Sequence, residues 1–197
     1  MQKLILGSTS IYRQRLLERL GIAFEAKKPL FDEELYKSSK LQPLEMAQTL
    51  ARLKAESLTQ TESHHTTIIS SDQLVHFQGQ ILGKPGTENK AVEQLQKMQG
   101  QTHELITAVC VIHQGRKIEF VNTTTIQLKK LSLQQIKNYV KKDMPLDCAG
   151  AYKIEKYGIA LIEKIETSDP SAIEGLPLIQ LSKILQECGY ENFSSTN

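Results

Sequence analysis

A carboxylate directly after an apolar run is the first feature of this 197-residue chain that invites chemistry: Ile68 and Ile69 lead through Ser70 and Ser71 to Asp72 and Gln73. Open α/β sheets place their ligands at the ends of such strands, where a carboxylate can bind a cation or take a proton from water. In a turn, the same Asp72 would only cap backbone N–H groups. Asp32, Glu33 and Glu34 form a second acidic group after Pro29. Oxygen donors without His or Cys suit a hard divalent cation such as Mg2+ or Mn2+, although a solvated surface run has the same composition.

Lysine enters in Gly83-Lys84-Pro85. A Walker motif requires Gly at 78 and a hydroxyl at 85, where Gln78 and Pro85 stand, so this is not a P-loop. Gly and Pro on either side still constrain the Lys84 backbone, which suits either a fixed phosphate contact or an exposed turn. Ser8, Thr9 and Ser10 offer hydroxyls and backbone N–H groups between a strand and a helix, for capping or for an anion. The five histidines have no HExxH-type spacing and read as non-catalytic, and the absence of GxSxG gives covalent acyl chemistry no support.

Strands and helices alternate around these groups. Leu4 to Leu6 read as a strand, and Leu16, Leu17 and Leu20 as a helix closed by Gly21. Residues 43–58 read as a helix, and Ile68 and Ile69 as a strand that resumes at Leu74, Val75 and Phe77 after an interruption at Asp72. Thr87 caps a helix over 91–98, residues 105–112 and 117–128 pair around Gly115, and Ser132 with Gln135 has capping-box spacing. A last helix carries Leu178, Leu181, Ile184 and Leu185. The class expected is α/β in a single domain over 1–197, with residues 194–197 as a dispensable tail.

Composition narrows the function. A 40% hydrophobic and 23% charged chain is neither disordered nor fibrous. Its net charge of +2 lacks the basic excess of a nucleic-acid binder, and no apolar run approaches the length of a membrane span. Cys110, Cys148 and Cys188 are odd in number and far apart, which argues against a disulfide framework and for a reducing cytoplasm.

Read together, the segments LILGSTSIYR at 4–13, DE at 32–33, LARLKA at 50–55, ISSDQLV at 69–75, ILGKPGT at 81–87, LDCAGAYKIE at 146–155 and EGLPL at 174–178 resemble the Maf family of nucleotide pyrophosphatases. That resemblance implies a Maf/ITPase-like fold: a central mixed, twisted sheet flanked by helices, with a nucleotide cleft between two lobes. It also implies hydrolysis of a nucleoside triphosphate between the α and β phosphates, a divalent cation and a possible homodimer. Ser8, Arg13, Lys54 and Lys84 would grip phosphate, Glu33 and Asp72 would hold the metal, and Asp72 would accept the proton of the attacking water.

Tyr12, Gln73 and Glu155 stand where the TTP- and UTP-acting branch has Arg, Thr and Gln, so the chain resembles the 7-methyl-GTP branch. Glu155 could accept both the N1–H and the exocyclic amine of guanine. Tyr12 could stack on the cationic methylated purine for roughly 0.5 to 2 kcal/mol. The alternatives are a broader TTP or UTP pyrophosphatase and a nucleotide-binding regulator of cell division without turnover. Gly7, Ile11 and Ala108 replace the family's usual Ala, Pro and Gly, departures expected to concern backbone conformation more than chemistry.

Overall fold

Leu4, Ile5 and Leu6 are apolar on both sides of the chain, the pattern of a strand covered on both faces, and β1 (Leu4–Gly7) is buried along its length. The computed structural model describes residues 2–32, 36 and 41–191, so Glu33, Glu34 and the tail at 194–197 lie outside the described residues. After β1 come α1 (Ile11–Glu18), β2 (Glu25–Lys27), α2 (Pro43–Thr59), β3 (Thr67–Phe77), β4 (Gln80–Leu82) and α3 (Glu88–Met98). The second half of the chain adds β5 (Thr102–His113), β6 (Arg116–Leu128), α4 (Leu133–Asp143), β7 (Ile162–Glu166) and α5 (Leu178–Glu187). Short 3-10 turns lie at Ala149–Ala151, Tyr157–Leu161 and Pro170–Glu174.

Among the described residues, the strands form one mixed sheet in the order β2-β1-β3-β5-β6-β7, with β4 paired to β3. Ile5 lies opposite Glu25 and Ile68 in parallel pairings, which require crossovers that α1 and α2 provide. The β3–β4 and β6–β7 pairings are antiparallel. The α/β class is therefore as expected, but β2, β4 and β7 are strands that the sequence pattern does not announce. The two outermost strands are short and charged: β2 carries Glu25 and Lys27, and β7 carries Glu163, Lys164 and Glu166. Glu62 pairs with both Lys3 (2.9 Å) and Lys27 beside β2.

The chain divides into two compact units, one made of residues 1–73, 107–122 and 169–197, the other of 74–106 and 123–168. In the first, Leu4 and Leu6 of β1, Leu16 and Leu17 of α1, Val109 and Val111 of β5 and Leu181, Ile184 and Leu185 of α5 share one apolar core. Full burial of each such side chain contributes about 1.5 to 3 kcal/mol. In the second, α3 packs on α4 with Ala91, Leu95, Met98, Ile136 and Val140 buried. Both helices start as their sequences predict. Thr87 accepts from the Lys90 N–H, and Ser132 and Gln135 exchange bonds in a complete capping box. No helix among the described residues is long and apolar enough to cross a membrane.

Two local expectations need correction. Asp72 does not interrupt a strand, because β3 runs unbroken from Thr67 to Phe77 with Asp72 inside it. A charge there is tolerable because Lys54 of α2 supplies an opposite one. Gly7 is not a matter of backbone freedom either. It is not among the positive-φ residues; instead, a Cβ there would fall inside contact distance of Ser70 Oγ and 2.9 Å from Leu58 Cδ1. The Ser70 hydroxyl donates to the Gly7 carbonyl at 3.3 Å, so the missing side chain makes room for that approach.

Candidate active site

Lys54 lies on the inward face of α2 with Ala47, Leu50, Ala51 and Leu58, where a helical period would place a leucine. Its ammonium reaches β3 and pairs with Asp72, Nζ to Oδ1 at 2.5 Å, both side chains being 7% exposed. Burying either charge alone would cost several kcal/mol, so each residue accounts for the other's position. The second oxygen, Asp72 Oδ2, is buried and has no hydrogen-bond partner among the described residues. A buried polar atom left bare inside an otherwise satisfied strand is the kind of exception that points to chemistry.

Around this pair, side chains brace backbone. Arg13 on α1 donates from Nη1 to the Ser71 carbonyl (2.9 Å) and from Nε to the Gly175 carbonyl (3.2 Å). Ser71 Oγ donates to that same Gly175 oxygen at 2.9 Å. The Gly175 loop is itself held by buried Asp169, which accepts from the N–H and hydroxyl of Ser171 and from the Ile179 N–H at the start of α5. A carboxylate at a helix N-terminus is favoured there by the free N–H groups. Gln73, next to Asp72, donates from Nε2 to Thr107 Oγ1 and the Ala172 carbonyl at 2.8 Å each.

Ser8 is buried, and its Oγ accepts from the Ser10 N–H at 3.1 Å. Ser10, the residue before α1, makes no side-chain cap. Tyr12 is half-buried on the same helix. Ser8, Tyr12, Arg13, Lys54, Asp72 and Gln73 thus all belong to the first unit. Glu33 lies outside the described residues, while Asp32 stands at the edge of that gap.

Lys84 and Glu155 belong to the second unit. Lys84 is exposed on a loop fastened by Gln94 Nε2 to the Gly83 carbonyl (3.0 Å) and by the Gly86 N–H to the Leu146 carbonyl (3.0 Å). Glu155 is exposed in a turn closed by two N–H groups, Lys156 at 3.2 Å and Gly158 at 2.9 Å, on the Lys153 carbonyl. In the same unit, burial and the nearby Asp147 charge push the Cys148 thiol up to about 12, which leaves it protonated and unreactive.

Sequence reasoning overlooked Ser71, Asp169 and Gly175 as the braces of Arg13. Ser71 and Gly175 lie in the ISSDQLV and EGLPL segments, but Arg13 meets them from 58 and 162 residues away. Among the described residues, no three His, Cys, Asp or Glu side chains gather into a metal cage. The residues that could contribute carboxylate oxygens to a hard cation are Asp72 and Glu33, the latter outside the described residues.

The mixed α/β fold thus buries a Lys–Asp pair in which one carboxylate oxygen has no partner among the described residues. The chain belongs to the Maf family: the family described as Maf-like protein matches residues 3–188. It is 51% identical over 185 residues to the 7-methyl-GTP pyrophosphatase of Bdellovibrio bacteriovorus, covering 94% of this chain and 96% of that one. It is 38% identical over 191 residues to the protein of the same name from Xanthomonas axonopodis pv. citri, covering 97% and 99%. Among solved structures it resembles the Ham1 protein of Staphylococcus aureus, with a TM-score of 0.51 at 11% identity over 95% of this chain and 100% of that one. This last likeness concerns the fold alone.

Proposed function

We propose that this protein hydrolyses 7-methyl-GTP to 7-methyl-GMP and pyrophosphate. The observation that carries the reading is Asp72, whose Oδ1 is taken by Lys54 while Oδ2 stays buried and without a partner among the described residues. Water attacks the α-phosphorus, its proton passes to Asp72 Oδ2, and the bond to the β-phosphate oxygen breaks, releasing pyrophosphate. Lys54 balances the Asp72 charge from the other side and holds the carboxylate to one rotamer. Arg13, fixed by two backbone carbonyls, presents its guanidinium to phosphate oxygens, and Ser8 with its neighbouring N–H groups does the same at the head of α1.

Lys84 takes the role of a further phosphate contact. A divalent cation, Mg2+ or Mn2+, held by Asp72 and by Glu33, would neutralise phosphate charge when bound. Glu155 accepts from the guanine edge, Gln73 flanks the proton acceptor, and Tyr12 offers its ring to the cationic base. These assignments are supported by the Maf-family membership and by the activity for which the Bdellovibrio and Xanthomonas relatives are named. The working form is a cytoplasmic homodimer acting on free nucleotide, not on nucleic acid, in keeping with a net charge of only +2.

The test is pyrophosphate release from 7-methyl-GTP, GTP, TTP and UTP with Mg2+ or Mn2+, ranked by kcat/KM. The expected ranking puts 7-methyl-GTP first. Equal or better turnover of TTP or UTP would replace this reading with the broader pyrophosphatase. Binding of 7-methyl-GTP without pyrophosphate release would replace it with a non-catalytic regulator.

A further inference from the structure

His103 is the histidine that the reaction leaves unused and the fold buries most deeply, at 2% exposure on β5. Its Nε2 lies 2.8 Å from the hydroxyl of Tyr152, with the two rings edge to face at 5.6 Å. Tyr152 is also buried, and the two residues before it have left-handed backbone: Gly150 has φ 76° and Ala151 φ 59°. Left-handed backbone at a non-glycine residue persists only where its surroundings enforce it. A Cβ on Gly150 would stand 3.2 Å from the Tyr152 ring, so the ring and the turn fit closely.

The chain just beyond Tyr152 is fastened as firmly. The Lys153 N–H donates to the Tyr139 hydroxyl at 2.9 Å, and Lys153 Nζ pairs with Asp147 at 2.9 Å. The Lys153 carbonyl accepts from Lys156 and Gly158, closing the turn that carries Glu155, and a Cβ at Gly158 would fall inside contact distance of that carbonyl. Glu155 thus has little say in its own backbone position. The turn continues directly from Lys153 and Tyr152, and the Tyr152 hydroxyl is bonded to His103.

We infer that His103, through its hydrogen bond to Tyr152, is a positioning residue for Glu155 and so for base selectivity; this rests on the reading of Glu155 as the group that accepts from guanine. Reading a base edge by two hydrogen bonds demands placement within a fraction of an ångström, whereas phosphate contacts and proton transfer at Asp72 depend on other residues. Burial holds the His103 ring well below its usual pKa, at about 4, so the bond to Tyr152 is the same at any pH where the enzyme would be assayed.

The experiment compares Tyr152→Phe, His103→Leu, His103→Gln and Glu155→Gln with the wild type, using steady-state kinetics on 7-methyl-GTP and TTP and amide hydrogen exchange over residues 149–156. Tyr152→Phe keeps the ring and removes only the hydroxyl. It and His103→Leu are expected to lower the 7-methyl-GTP over TTP ratio of kcat/KM about tenfold through KM, with kcat within about twofold and with faster exchange in 149–156. His103→Gln, whose amide reaches the place of Nε2, is expected to restore most of the ratio. Unchanged exchange in Tyr152→Phe would overturn the anchor, and faster exchange with an unchanged ratio would overturn its role in selectivity. A fall in kcat at constant KM would mark a merely structural part. If Glu155→Gln leaves the ratio unmoved, the reading of Glu155 fails and takes the inference with it, while the exchange data still report separately whether the anchor exists.

Discussion

The strand around Asp72 and the turn around Glu155 hold the carboxylates proposed for proton transfer and for base choice by opposite means. Asp72 sits in the middle of an eleven-residue strand, clamped by a charge from a seventeen-residue helix, and its backbone has the ladder of β3 to rely on. Glu155 sits in irregular chain between two 3-10 turns, and its position depends on side-chain tethers to Tyr139, Asp147 and His103. Proton transfer gains from a group that cannot move, and the regular elements supply that. Choice among bases gains from a segment that can be altered without disturbing the sheet.

The contrast can be broken most forcefully at Asp72. Asp72→Asn removes the proton acceptor and the charge opposite the buried Lys54 ammonium. Pyrophosphate release is expected to fall by about 10²- to 10⁴-fold. Unlike a change on an exposed catalytic loop, it should also lower the midpoint of thermal unfolding, because one member of a buried ion pair is lost. Activity within tenfold of wild type would detach Asp72 from the chemistry.

On the other side, His103 makes the tethered region sensitive to acid. Its folded pKa of about 4 lies below the 6.5 of the unfolded chain, so the unfolded state takes up the proton first as pH falls. The stability contributed is therefore fully present above about pH 6.5 and lost progressively toward pH 4, with an upper limit of about 3 kcal/mol. Denaturant unfolding of wild type and His103→Gln across that window checks it: the two curves should converge as pH drops. Parallel curves would show that the ring does not titrate as its burial demands.

A smaller effect sharpens the description of the strand region. Gly7→Ala should cost about 1 to 3 kcal/mol by overpacking against Ser70 and Leu58, and Ser70→Ala in the same chain should recover part of it. An unchanged melting temperature in Gly7→Ala would mean that β1 and β3 have room that the geometry denies them.

Local signals in the sequence carried much of this architecture. Thr87 and the Ser132 and Gln135 pair mark helix starts because capping is settled within three residues. Leu4 to Leu6 and the leucines of α5 announce buried faces by period alone. What escaped is non-local. Glu25-Ala26-Lys27 has no apolar alternation and is a strand only because β1 pairs with it. Asp72 looked like an interruption because the lysine that neutralises it stands 18 residues earlier on another element. His103 looked idle because its partner lies 49 residues downstream. The residue types at positions 72 and 155 were legible, but the braces that hold them were not.

The six-strand path of the sheet has two rims, β2 and β7, and each is a potential landing place for a strand of another molecule. Here one rim ends in Glu25 and Lys27 and the other in Glu163, Lys164 and Glu166. A passing chain that tried to extend the ladder would have to strip water from alternating charges along only three to five residues, for a handful of backbone bonds in return. The charged rims thus discourage growth of the sheet from one molecule to the next, a safeguard against aggregation that operates independently of catalysis.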